Sequence, residues 1–301
     1  MRAIGVRTPA GRPTRRSGAA ASWWFVVPAL AVYGAGFLIP NLIGAGYAFT
    51  DWDGLTAPGW VGLENFRRVA GDSQGRDALV HSLLLAGVYV VAVNLVGLGL
   101  ALGLHQTLKS RNVLRALFFA PAVVSPLAVA YIWQFVLQPD GPLNEGLRKV
   151  GLGALAHPWL GDPSTALWAV VAVLVWQFCG YQMAIYLAGL QSIPRELYEA
   201  AAVDGAGYWR QFWYITFHQL RPAMAVNISL ALIGSLKVFD QILALTGGGP
   251  GASTETLGTQ VYKQAFVNSR FGYSAALALV LVAAVSVLSL LQLRSMRDRE
   301  S

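Results

Sequence analysis

The sequence predicts an all-α membrane protein of six transmembrane helices. Only 12% of its 301 residues are charged and 55% are hydrophobic, whereas soluble domains carry about 25% charged residues. Mean hydropathy is +0.50. The apolar residues fall in six blocks, at about 22–49, 78–104, 113–137, 165–191, 223–246 and 272–293. Each is long enough for the roughly 20 helical residues that cross a hydrocarbon core. Stretches such as "VYVVAVNLVGLGLALGL" are apolar all round, unlike the alternating strands of about 10 residues that build a membrane barrel.

Each element has its own signature. Residues 1–20 are rich in Arg, Pro and Gly, a composition that predicts a disordered tail. The first block exceeds the 7–15 residues of a signal-peptide core, and no small-residue cleavage site follows it, so it reads as an uncleaved anchor. The loop "DWDGLTAPGWVGLENFRRVAGDSQGRD" has turn signals at Asp53-Gly54 and Pro58-Gly59 and a short amphipathic helix from Leu63. In the second span Gly99 and Gly103 stand four apart, a face that allows close helix contact. The turn "HQTLKSRN" leads into a third span interrupted by Pro121 and Pro126. Proline frees backbone carbonyls there, which a neighbour or a cavity must meet.

The fourth span places Gln177, Tyr181 and Gln182 near its middle. The fifth carries Lys237, Asp240 and Gln241, then "TGGGPG". Ionisable groups within a span are costly and face a bundle interior or an aqueous cavity. Lys237 and Asp240, three apart on one helix, are in reach of a structural ion pair; as an alternative they form a polar wall of a translocation path. The glycine run lacks the spacing of a phosphate-binding loop, Pro250 standing where a lysine is required. It reads as a turn or a re-entrant loop. A sixth span and a tail of residues 294–301 complete the chain.

The formal net charge of +7 is distributed unevenly. With the N-terminus inside, fourteen Lys and Arg lie on inner segments: Arg2, Arg7, Arg12, Arg15, Arg16, Lys109, Arg111, Arg115, Arg195, Arg210, Arg221, Arg294, Arg297 and Arg299. Seven lie on outer loops: Arg67, Arg68, Arg76, Arg148, Lys149, Lys263 and Arg270. This positive-inside bias predicts both termini in the cytoplasm, and it makes the basic excess a topology signal rather than a nucleic-acid patch.

Catalytic chemistry is not legible. Cys179 is the single cysteine, so no internal disulfide forms. His81, His105, His157 and His218 lack metal-ligand spacing, and no G-x-S-x-G elbow occurs. Glu199 and Asp204 are separated by about 500° of helical rotation and point to different sides.

The polar insert "QSIPRELYEAAAVDGAGYWRQFWYITFHQLRP", residues 191–222, interrupts the apolar pattern. Ser192 is expected as N-cap, with Pro194 in the first turn. Leu197, Tyr198, Ala201 and Ala202 fall on one helical face. Gly205 and Gly207 are expected to end the helix in the left-handed conformation, and a second helix runs from Tyr208 to about Leu220. Ala200, Ala201 and Ala202 present a low profile. The insert is either a docking surface for another protein or a hairpin packed under the bundle.

This insert resembles the EAA loop of the integral-membrane subunits of ABC importers, in which E-A-A is followed at fixed spacing by G, I and L-P. Glu199, Ala200, Ala201, Gly205 and Ile215 match; Phe217 and His218 replace the usual Leu and Pro. "DWDG", "WVGLENF", "VFDQILALTGGGPG", "TETL" and "FGYSAALALVL" are similar to the sugar-importer branch. The resemblance implies a type-1 transport domain over residues 77–293 and a first helix, within residues 21–49, that wraps a second homologous permease.

It also implies coupling to an ATP-binding subunit dimer through Glu199, Ala200, Ala201, Asp204, Gly205, Gly207 and Ile215. An extracytoplasmic solute-binding protein would deliver a sugar to a path touching Gln177, Tyr181, Gln182, Lys237, Asp240 and Gln241. This chain would bind no cofactor itself; ATP and Mg would sit on the partner ATPase subunits, and membrane lipid would surround the spans. The competing class is a stand-alone ion-coupled secondary transporter, which often shows internal repeats and deep carboxylates.

Overall fold

The computed structural model describes residues 24, 26–106 and 109–297. The tail of residues 1–20 and residues 298–301 lie outside the described residues. Among the described residues the regular structure is helical, with one isolated bridge between Thr50 and Trp60. The chain divides at Gly44. The first unit is the body of α1 (Val27–Tyr47), whose apolar side chains are unburied, as suits a membrane span.

The second unit holds α2 (Glu64–Gly71), α3 (Ser73–His105), α4 (Arg111–Val123), α5 (Pro126–Val136), α6 (Pro142–Lys149) and α7 (Ala166–Gln191). It continues with α8 (Arg195–Val203), α9 (residues 208–219), α10 (Arg221–Leu236), α11 (Asp240–Thr246), α12 (Leu257–Tyr262) and α13 (Phe271–Arg297). Helices α1, α3, α7 and α13 are unbroken and long enough to cross a membrane.

The third and fifth expected spans are broken. Helices α4 and α5 meet at 99°, and α10 and α11 at 52°. With 13 and 11 residues, neither half of the third span crosses alone. Pro121 is carried inside α4, so the break belongs to Pro126. A proline drives the residue before it out of the helical region, and Val124 and Ser125 are extended, at ψ 141° and 131°.

Helix α7 is the centre of the second unit, packed against α3, α4 and α10. Glycine makes these approaches. A Cβ at Gly180 would run into the Phe118 carbonyl of α4, and one at Gly189 would lie 2.8 Å from the Ala223 Cβ of α10. On α3 a Cβ at Gly97 would lie 2.7 Å from the Gln182 Cβ. Small residues let backbones come close where no hydrophobic force pulls helices together. The expected pair, Gly99 and Gly103, faces open space. The contact face of α3 is instead Gly97 and the fully buried Ala101, because Gly99 and Gly103 are turned away from α7.

The loop after α1 is held by its own polar side chains. Asn65 is buried and donates from Nδ2 to the carbonyls of Ala48 (2.9 Å) and Thr50 (2.7 Å). Asp51 accepts the Gly59 amide at 2.7 Å. Asp53 accepts the amides of Thr56 and Leu55, which hold its carboxyl down at about 2. The expected short helix is present as α2. The "TGGGPG" run is a turn: Gly247 and Gly248 sit at φ 61° and 88°, and the hydroxyls of Thr246 and Thr254 meet at 2.7 Å. Behind it the buried Glu255 pairs with Lys263 and accepts from Gln260 at 2.5 Å.

Candidate coupling hairpin and translocation path

Between α7 and α10 the chain leaves the bundle as the α8–α9 hairpin. Helix α8 begins after Pro194, which stands extended at ψ 134°. Ser192, expected as its N-cap, is the C-cap of α7, and its hydroxyl donates to the Gly189 carbonyl at 2.8 Å. The physical reason is Pro194, which disfavours helical backbone at Ile193, while Ile193 itself stays buried in the core.

Helix α8 closes with a Schellman motif. The Gly205 amide donates to the Ala202 carbonyl at 3.1 Å, and the Ala206 amide to the Ala201 carbonyl at 2.8 Å. Gly205 is left-handed, at φ +75°, as expected. Gly207 is not: its φ is −71° and it caps the start of α9.

The two sides of α8 differ. Tyr198 and Ala201 turn inward; the Tyr198 Oη lies 2.9 Å from the Thr216 hydroxyl. Tyr198 and Ile215 pack on the cluster of Tyr186, Leu187, Leu190, Ile193 and Leu220. Leu197 and Ala202, expected on that same face, remain exposed. The outward stripe is Glu196, Glu199, Ala200 and Val203, spaced i, i+3, i+4 and i+7 and exposed throughout. Of the sequence-derived residues, Glu199 and Ala200 lie on the stripe, Asp204, Gly205 and Gly207 shape the elbow, and Ala201 and Ile215 face the bundle. Val203, 89% exposed, is not singled out by the motif; its position four after Glu199 is the sequence signal that places it on the stripe.

Helix α9 contains a π turn over Phe212–Thr216. His218, one of the departures from the EAA pattern, donates from Nδ1 to the Trp213 carbonyl at 2.9 Å.

Within the bundle three glutamines bind helices to one another. Gln177 is fully buried and donates to the Val124 carbonyl at 3.2 Å, the backbone exposed by the break before Pro126. Its Oε1 accepts from Gln241 Nε2 at 2.5 Å, so one side chain of α7 ties the α4–α5 break to α11. Gln182 and Asn227 exchange amide bonds with each other's backbone carbonyls, at 3.4 and 3.2 Å. Their amide oxygens are buried and have no partner.

Tyr181, Lys237 and Asp240 are exposed. The ion pair between the last two does not form. Helix α10 ends at Leu236 and α11 begins at Asp240, so they do not share a helix. Lys237 is the C-cap of α10, and Asp240 opens α11 with its carboxylate accepting the Gln241 amide at 3.0 Å. Each charge thus offsets the dipole of its own helix end. No metal-binding group of His, Cys, Asp and Glu is found among the described residues.

Residues 94–298 match the family model described as "Binding-protein-dependent transport system inner membrane component". The chain is 34% identical over 279 residues to the "Probable starch degradation products transport system permease protein AmyD" of Thermoanaerobacterium thermosulfurigenes, spanning 92% of this chain and 94% of the relative. It is 38% identical over 277 residues to the "Multiple sugar-binding transport system permease protein MsmF" of Streptococcus mutans, spanning 90% and 93%. A solved bacterial ABC transporter involved in the import of alginate shares the fold, with a TM-score of 0.81 at 24% identity over 92% of this chain and 94% of that one.

Proposed function

Since the chain belongs to the binding-protein-dependent transport system inner membrane components, as a multi-pass permease subunit of an importer, we propose that it forms one half of a sugar-conducting path driven by ATP hydrolysis on partner subunits. The observation that carries this reading is the α8–α9 hairpin: a Schellman-capped elbow between two membrane segments whose outward stripe of Glu196, Glu199, Ala200 and Val203 is left uncovered. An alanine and a valine set beside two carboxylates suit a cleft in an ATPase subunit. Docked there, α8 passes closure of the nucleotide-bound dimer through Tyr198 and Ile215 to the core around α7. Transport is then a two-state equilibrium biased by ligands that prefer one state. The charge bias supports placing the hairpin and both termini in the cytoplasm.

Sugar as the solute is supported by the relatives' names. Tyr181 supports it physically, as an exposed aromatic amid apolar residues of α7. The break between α10 and α11, with Lys237 and Asp240 exposed on it, suits a cavity wall, since irregular backbone at membrane depth is tolerated where it lines one. The test is reconstitution with a second permease, the ATPase and a solute-binding protein. Uptake of labelled saccharide should need all of them and ATP; uptake by this chain alone under an ion gradient would contradict the reading.

A further inference from the structure

The α8–α9 hairpin is chemically split between its two helices. Helix α8 and its cap hold the acids Glu196, Glu199 and Asp204, whereas no acidic residue occurs from Gly205 to Phe239. Helix α9 buries Thr216, and Leu220 after it, and turns outward Arg210, Trp213, Tyr214 and His218. Trp213 is 53% and Tyr214 76% exposed. The rings are not scattered: Phe212 and Trp213 lie 5.2 Å apart and Trp213 and Phe217 5.3 Å apart, forming one aromatic strip. Only Leu220 separates this helix from the membrane segment α10, so the strip leads directly into the bilayer edge.

Trp and Tyr are the side chains that collect at a membrane–water interface, the ring in the acyl boundary and the polar atom in the headgroups. An amphipathic helix with basic residues beside such rings lies in the interface plane and favours anionic lipid. We propose that α9 is an in-plane lipid anchor, with Trp213, Tyr214 and Phe217 seated at the headgroup–acyl boundary of an anionic phospholipid surface and Arg210 on headgroup phosphate. The Tyr198–Thr216 bond ties α8 to this anchor, so the lipid surface fixes the pose at which the outward stripe of α8 is presented. The charge split favours lipid over an ATPase subunit as the occupant of α9: the acids that a basic protein cleft would read sit on the other helix.

The test uses the chain paired with its partner permease, first without and then with the ATPase subunits, in phosphatidylcholine vesicles with and without phosphatidylglycerol, in a Cys179→Ala background. An environment-sensitive fluorophore is placed through Tyr214→Cys, which leaves Trp213 and Phe217 in position, and separately through Val203→Cys on the opposite helix. Nitroxide lipids labelled at the headgroup or deep in the acyl chain act as quenchers. The label at 214 should be quenched several-fold more by the headgroup nitroxide than the label at 203, and Arg210→Gln should abolish the extra quenching gained with phosphatidylglycerol. Equal quenching at both positions would overturn the proposal. So would protection of position 214 that appears only when ATPase subunits are added, which would mark α9 as a protein-docking face.

Discussion

Ala206 donates its backbone amide to the carbonyl of Ala201 across 2.8 Å, and this bond closes because Gly205 between them stands at φ +75°. The elbow of the hairpin is thus set by one backbone conformation. An L-residue in that region costs about 1–2 kcal/mol, and asparagine tolerates it best. The space around Gly205 is open, so size is not the constraint.

Gly205→Asn should therefore retain more solute-stimulated ATP hydrolysis than Gly205→Ala, and Gly205→Val should retain least. The measurement is hydrolysis by the reconstituted transporter across the three variants. An order that follows side-chain volume, with alanine ahead of asparagine, would contradict a φ-controlled elbow.

Gln177 and Gln241 should behave as a coupled pair. Interhelical polar contacts in membranes contribute about 0.6 kcal/mol on average and at most about 1.7 kcal/mol by double-mutant cycles. Gln177→Leu should destabilise more than Gln241→Leu, because it also strands the Val124 carbonyl at the break before Pro126. Unfolding titrations of the two single variants and the double should show a non-additive remainder in that range; strict additivity would show that the 2.5 Å contact is not energetically real.

Helix contact through Gly180 leaves no room for a side chain against the Phe118 carbonyl. Gly180→Leu should cost at least the roughly 1–3 kcal/mol of core overpacking and lower the yield of folded chain in size-exclusion profiles. Gly99→Leu, with nothing within 4 Å, should leave the same profile unchanged for the isolated chain. A loss in Gly99→Leu as large as that in Gly180→Leu would mean that α3 packs through its Gly99 face rather than through Gly97 and Ala101.

Much of this architecture is legible from residue type alone, and the failures have physical causes. Gly205 could be placed in advance because a helix end followed by a left-handed residue selects glycine. Pro126 announced a break, but a 99° bend depends on what receives the freed carbonyl, and that partner, Gln177, lies 53 residues along the chain. An ion pair between Lys237 and Asp240 requires one continuous helix; the chain ends that helix at Leu236, and each charge settles on its own helix terminus. Ser192 has the chemistry of an N-cap, yet Pro194 fixes the boundary and leaves the serine to close α7. Which residues of α8 point outward depends on where Tyr198 finds Thr216, a tertiary contact that places Ala200 and Val203 outside and Ala201 within.

The most direct measurement is solute-stimulated ATP hydrolysis and uptake by vesicles carrying Ala200→Trp, beside a control for membrane insertion and pairing with the second permease. Ala200 is exposed, at the centre of the outward stripe and clear of every membrane segment, so the bundle should form normally. A bulky ring there cannot enter a cleft shaped for a methyl group, with a cost of about 1–3 kcal/mol. If α8 couples the ATPase to the bundle, insertion should be normal and stimulated hydrolysis and uptake should both be lost. Full stimulated hydrolysis together with full uptake would contradict it.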